Sequence, residues 1–151
     1  TFMDCKGLKY LESQEGYQEI HEYYEEMKAE IREVKKRFDE DKEVYDGKKL
    51  VFFEFQSPYH INSSIATQIS IDKEEWIYVI AKKEDGKVNV SARCQSGRLD
   101  LGKTLREALP EEVGEEAEAG GHRNAAGASF SYKFLDRFKE KLLNSIDDFE
   151  D

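Results

Sequence analysis

The stretch Ala119-Gly120-Gly121-His122-Arg123-Asn124-Ala125-Ala126-Gly127 decides how the rest of this chain is read, because so little of it suits ordinary packing. Two adjacent glycines let a backbone pass close to a group that no side chain would tolerate. A histidine, an arginine and an asparagine follow, then two alanines and a third glycine. Small residues bracketing a polar trio point to a loop whose amides and imidazole face a ligand, phosphate above all. Successive N–H groups in a turn form an anion-binding nest, and a helix N-terminus would reinforce it. The same string also fits a Gly-Gly turn leading into a short helix, with His122 exposed and idle, since short glycine motifs are weakly specific.

Upstream, Lys87 to Cys94 alternates as a strand does. Val88, Val90, Ala92 and Cys94 point one way, and Lys87, Asn89, Ser91 and Arg93 the other. The polar face fits plain solvation, but Ser91 and Arg93 share it near the strand end, where the glycine loop can approach. A guanidinium suits phosphate because its planar fork holds two oxygens at once. Glu84-Asp85-Gly86 is a hairpin signal that joins this strand to the apolar run Trp76–Ala81. Earlier still, Leu50-Val51-Phe52-Phe53 reads as a buried strand. Ser57-Pro58 ends it, and Ile61, Ile65 and Ile69 mark a short helix with Asn62 or Ser63 near its cap. Strand, helix, strand, hairpin, strand is an α/β plan whose first two strands are expected to be parallel.

Beyond that plan, Leu101, Leu105 and Leu109 stripe a helix that Pro110 closes, and residues 111–119 read as an acidic segment looped out. Ala128, Phe130 and Tyr132 mark a fourth strand, and Leu135, Phe138, Leu142 and Ile146 a last amphipathic helix. The tail 147–151 is expected to fray. The expectation is therefore an α/β fold with a mixed β-sheet of about four to five strands flanked by helices.

A long N-terminal helix over residues 14–40 precedes it. Tyr17, Ile20, Tyr24, Met27, Ile31, Val34 and Phe38 recur at alternating spacings of 3 and 4, a heptad seam. At 1.5 Å per residue such a helix reaches about 40 Å, longer than a small sheet needs. It fits packing on its own domain, a link to a further domain, or a seam for a partner helix. The division follows: an N-terminal segment over 1–47, a domain over 48–146 and an acidic tail.

Length and composition bound the function. At 151 residues the chain builds one core. A net charge of −10 argues against indiscriminate coating of nucleic acid, which rests on Lys and Arg displacing counterions. The charge is uneven: residues 1–47 carry 8 basic and 14 acidic groups, residues 86–110 carry 5 basic and 2 acidic. A nucleic-acid site is thus expected near Arg93, Arg98, Lys103, Arg106 and Arg123. Cys5 and Cys94 are the only cysteines and lie in no metal-ligand spacing, so neither a disulfide framework nor a metal site is expected. A reduced, cytoplasmic setting is the simpler assumption. No apolar run approaches membrane-spanning length. His21 and His60 read as surface or helix-end residues. Nothing pairs a nucleophile with a base, or carboxylates with each other, in a recognisable frame.

Gly-Gly-His-x-Asn-Ala-Ala-Gly resembles the signature of the DHH-associated domain, the C-terminal substrate-binding half of DHH phosphoesterases. Ser91-Ala92-Arg93 matches the family's Ser-x-Arg strand end, and Gly97–Lys103 resembles its link into a short helix. Tyr59–Thr67 is most similar to the archaeal RecJ-like subgroup. Many relatives have three or four glycines before the histidine, whereas here Glu118-Ala119 precedes two. The chain holds no Asp-His-His triplet, so it looks like half of a protein, and a start at Thr1 fits a piece of a longer one.

The resemblance implies a single-strand phosphate-binding domain of a metal-dependent exonuclease of DNA replication and repair. Ser91, Arg93, Gly120, Gly121, His122, Arg123 and Asn124 would hold phosphate, and Arg98 and Lys103 would add nucleic-acid contacts. His122 is a possible catalytic auxiliary; Mn²⁺ or Mg²⁺ would sit in the missing catalytic half. The partners implied are a single strand or short oligonucleotide, that catalytic DHH half and possibly a GINS-type replisome protein. Two alternatives stand beside it: a replisome scaffold binding such partners, and the substrate domain of an oligonucleotide or cyclic-dinucleotide phosphodiesterase.

Overall fold

A computed structural model of the protein describes residues 14–150. Cys5 lies outside that range. Six strands form one mixed sheet among the described residues: β1 (Glu43–Tyr45), β2 (Leu50–Gln56), β3 (Ile77–Glu84), β4 (Lys87–Arg93), β5 (Glu118–Gly121) and β6 (Ala125–Ser131). Their order is β1-β2-β3-β4-β6-β5. β2 and β3 are parallel, as the helix between them requires, and every other neighbour is antiparallel. Asp85 and Gly86 form the β3–β4 turn at φ 50° and 76°, the paired positive φ of a tight two-residue hairpin.

The mixed α/β sheet agrees with the sequence, but two short strands lacked a signal in it. β1 is three residues long, and its apolar Val44 is 44% exposed. β5 reads Glu-Ala-Gly-Gly, without a β-branched or aromatic residue. The segment expected to loop out instead makes a 3-10 turn at Glu111–Val113 and then supplies β5.

Among the described residues four α-helices clothe the sheet: α1 (Gln14–Asp41), α2 (Asn62–Ser70), α3 (Leu101–Ala108) and α4 (Leu135–Ser145). One face carries Leu50, Phe52, Val79, Val88, Val90, Ala92 and Phe130, packed under Leu101 and Leu105 of α3 and Phe138 and Leu142 of α4. The other carries Val51, Phe53, Phe55, Tyr78 and Ile80, packed under Val34 and Phe38 of α1 and Ile65 and Ala66 of α2. Alternation along β4 therefore sends Val88, Val90, Ala92 and Cys94 into the first core, as its spacing predicts.

The seam on α1 divides. Its C-terminal half packs on its own domain: Val34 and Phe38 are buried, with Met27 and Ile31 partly so. Tyr17, Ile20 and Tyr24 stand exposed at 57%, 47% and 50%. At 28 residues, about 42 Å, the helix outruns the sheet it packs against. The acidic tail is tied down rather than frayed. The Phe149 amide donates to the Gly47 carbonyl at 2.7 Å, and the Phe149 ring lies beneath Lys49 and Arg98. One aromatic ring in an acidic run outweighs the composition.

Candidate functional site

The glycine stretch is a hairpin. Gly120 and Gly121 end β5, His122 to Asn124 form the turn, and β6 starts at Ala125, three residues before the strand read from the sequence. The His122 amide closes the turn on the Ala125 carbonyl at 2.8 Å. The carbonyls of the polar trio are all accepted contacts: Gly102 donates to His122, Leu101 to Arg123 and Cys94 to Asn124, at 3.0–3.2 Å. The first amides of α3, which an anion would otherwise seek, therefore face the hairpin's carbonyls. The glycines have a structural reason. A Cβ on Gly102 would lie 2.6 Å from the Gly121 carbonyl oxygen, and Gly121 itself sits at φ 141°, where a Cβ would be 2.7 Å from the Ala125 oxygen. Helix and hairpin touch backbone to backbone.

A groove of about 820 Å³ opens on the face shared with α1 and α2, where those helices stop short of β4, β6 and β5. Its floor is Asn89 and Ser91 of β4, Gly127 and Ser129 of β6, and Glu118 and Gly120 of β5; His60, Asn62 and Ser63 at the start of α2 form one wall. The Asn62 side chain does not cap its helix, as the sequence suggested. Its amide nitrogen donates to the Asn89 carbonyl at 2.7 Å and so fixes α2 against β4. Lys82, 1% exposed, lies at the inner end and donates to the Tyr59 carbonyl at 2.7 Å, holding the residue before His60. Lys82 and His60 were missed because neither strand periodicity nor helix position marks them; Lys82 is placed by its register beside Asn89, and His60 by the Tyr59 carbonyl that Lys82 holds.

Of the residues expected at the site, Ser91 and Gly120 line this groove. Arg93 sits on the same sheet face, one pleat beyond Ser91, and its guanidinium donates to the Ala92 carbonyl at 2.9 Å and the Ala126 carbonyl at 3.5 Å. It is half-buried, which pushes its pKa down by desolvation, and no carboxylate pairs with it among the described residues. Gly121, His122, Arg123 and Asn124 are outside the lining, and His122 is exposed. Arg123 donates to the Gly97 carbonyl at 2.6 Å. Arg98 donates to the carbonyls of Glu75 and Lys48, while Lys103 is exposed beside Glu107. The arginines that raised the local positive charge thus mostly brace backbone. Among the described residues no group of three or more His, Cys, Asp or Glu is placed to hold a metal.

The model of the DHHA1 domain family matches residues 47–148, which take in the sheet from β2 onward, the glycine hairpin and the Ser91–Arg93 strand end. The chain belongs to the DHHA1 domain family. Two solved structures share its fold. RecJ from Thermus thermophilus, in complex with Mg²⁺, is 16% identical with a TM-score of 0.63; the match covers 87% of this chain and 20% of RecJ. PggH from Vibrio cholerae, described as a pGpG-specific phosphodiesterase, is 15% identical with a TM-score of 0.54, covering 92% of this chain and 45% of that one. At such identities the likeness is one of fold, and this DHHA1 domain spans less than half of either protein. No curated protein sequence matches the chain. No described helix is long and apolar enough to cross a membrane.

Proposed function

We propose that this DHHA1 domain holds the phosphate backbone of a single-stranded nucleic acid for a RecJ-like metal-dependent exonuclease whose catalytic DHH half lies outside these 151 residues. The observation that carries it is Arg93. Burying half a guanidinium beside carbonyls, with no carboxylate to balance it, has a cost that an incoming phosphate would repay. Ser91, on the same face, would add a hydroxyl, and the Arg106 guanidinium, 3.3 Å from where a Gly120 Cβ would stand, would add a second cation at the edge. His122, exposed in the turn beside this edge, is an auxiliary that would meet the scissile group. Two metal ions and the attacking water would come from the other half, so this chain alone is expected to cleave nothing with Mn²⁺ or Mg²⁺.

Arg93→Ala should weaken binding of a single-stranded oligonucleotide by about 1–3 kcal/mol, as for hydrogen bonds to charged groups. It should also lower the slope of log K against log salt by about 0.7, one phosphate contact on a single strand. Unchanged affinity and slope would remove Arg93 from the site and take this reading with it. His122→Ala should alter binding less and turnover of the complete enzyme more. The scaffold reading keeps one observation in its favour, the uncovered Tyr17, Ile20 and Tyr24 of α1. If Ile20→Glu abolished association with a GINS-type partner while single-strand binding was absent in the unaltered chain, the scaffold reading would replace the first.

A further inference from the structure

The groove holds a charge that phosphate binding leaves unexplained. Lys82 is neutralised by the Glu84 carboxylate at 3.1 Å, so the unpaired carboxylate in the lining is Glu118. A lone carboxylate repels a phosphodiester. What it accepts well is a pair of N–H donors lying side by side.

The register sets out the floor in rows. Lys82, Asn89, Ser129 and Glu118 are neighbours across four strands. One pleat along lie Ser91, Gly127 and Gly120, small residues beside which the Arg106 guanidinium comes within 3.3 Å of where a Gly120 Cβ would stand. One pleat further is Arg93. From Arg93 to the Asn89 row is four residues of β4, about 13 Å at strand rise. Glu118 lies two strands further across, about 10 Å at strand spacing, so about 16 Å separates the two backbones, a span that a nucleotide from phosphate to base fills together with the Arg93 and Glu118 side chains.

We propose that the groove is a nucleoside subsite selective for guanine and that Glu118 is its specificity-determining residue. The inference rests on the phosphate reading above. Guanine presents N1–H and an N2 amino group in parallel, one donor for each carboxylate oxygen. Adenine and cytosine set a ring-nitrogen acceptor beside their amino group, and uracil and thymine flank a single N–H with carbonyls. Each of those edges turns a lone pair toward Glu118. Gly127 lets sugar and ring lie close to the sheet, the Arg106 guanidinium beside Gly120 adds a planar cation at the outer edge, and the exposed His60 imidazole at the wall offers a stacking surface.

The test measures binding of 5′-phosphorylated guanine, inosine and adenine dinucleotides to the 151-residue chain by calorimetry. Guanine should bind about tenfold tighter than adenine, in line with a bidentate base contact. Inosine, which lacks the N2 amino group, should fall between them. Glu118→Gln should remove the guanine preference by weakening guanine binding and strengthening adenine binding, since the carboxylate's repulsion of the adenine lone pair is lost, whereas Arg93→Ala should weaken all three alike. Equal guanine and adenine affinities that both fall with Arg93→Ala would overturn the guanine subsite and leave the phosphate reading standing. No binding of any dinucleotide would overturn both. A guanine preference that survives Glu118→Gln would overturn the role of Glu118.

Discussion

The two faces of this sheet start from the same strands and end in opposite states. On β4, Val88, Val90 and Ala92 are sealed under α3 and α4, while Asn89 and Ser91 face a groove that α1 and α2 leave open, with Arg93 on the same face one pleat beyond it. The closed face carries stability, because apolar area removed from water there has no competing task. The open face carries the candidate site: its floor of glycines, serines and an asparagine gives up burial and leaves backbone and polar atoms uncovered. The glycine hairpin connects the two, since its carbonyls receive the α3 amides on one side while Gly120 faces the groove on the other.

The contrast breaks most readily at Phe138, fully buried on the closed face and ringed against Phe130. Phe138→Ala should cost about 3–5 kcal/mol in chemical denaturation, whereas Ser91→Ala on the open face should stay within about 0.5 kcal/mol. Comparable losses would erase the distinction between the faces. Gly102→Ala attacks the junction, where the added methyl meets the Gly121 oxygen. Overpacking of this kind costs about 1–3 kcal/mol, and binding at the groove should fall with it; an unchanged melting temperature would mean that the helix and hairpin are not in backbone contact.

A smaller effect separates the halves of α1. Val34→Ala, at a fully buried position, should lose about 1.5 kcal/mol for two methyl groups, while Ile20→Ala should leave stability nearly unchanged. The reverse order would place the helix wrongly on the domain. The smallest effect is electrostatic. Burial raises the Glu43 pKa, but its hydrogen bonds from Lys139 and Tyr45 outweigh that and hold it below the usual 4.5. A carboxylate with a depressed pKa stabilises the fold above its ordinary value and loses that contribution as pH falls through the lowered one. The melting-temperature gap between the unaltered chain and Glu43→Gln should therefore be full near neutrality and close below about pH 4.5; a gap that widens in acid would contradict the assignment.

Elements with a repeating apolar signal were legible in the residues. The period of α1, the alternation of β4, the Asp85-Gly86 turn and the stripe of α4 each imply their structure through local geometry alone. β5 was not, because Glu-Ala-Gly-Gly becomes a strand only through pairing with β6. Nor was the role of Phe149, whose ring finds Lys49 and Arg98 a long way off in sequence. The site followed the same division. Ser91 and Gly120 of the groove could be named from the string, whereas Lys82 and Glu118 came together only through strand register, and His60 through the docking of α2 on β4.

By itself the sequence determined the α/β class, the long first helix, the family and the polar face of β4, since each rests on periodicity or on a motif contiguous in the chain. Only the tertiary structure decided that the glycines serve a backbone-to-backbone contact with α3, that Arg98 and Arg123 brace carbonyls, and that a groove lies between α2 and the β5–β6 edge. Those outcomes depend on which side chain meets which backbone across strands and helices distant in sequence. Local propensity carries no record of such meetings.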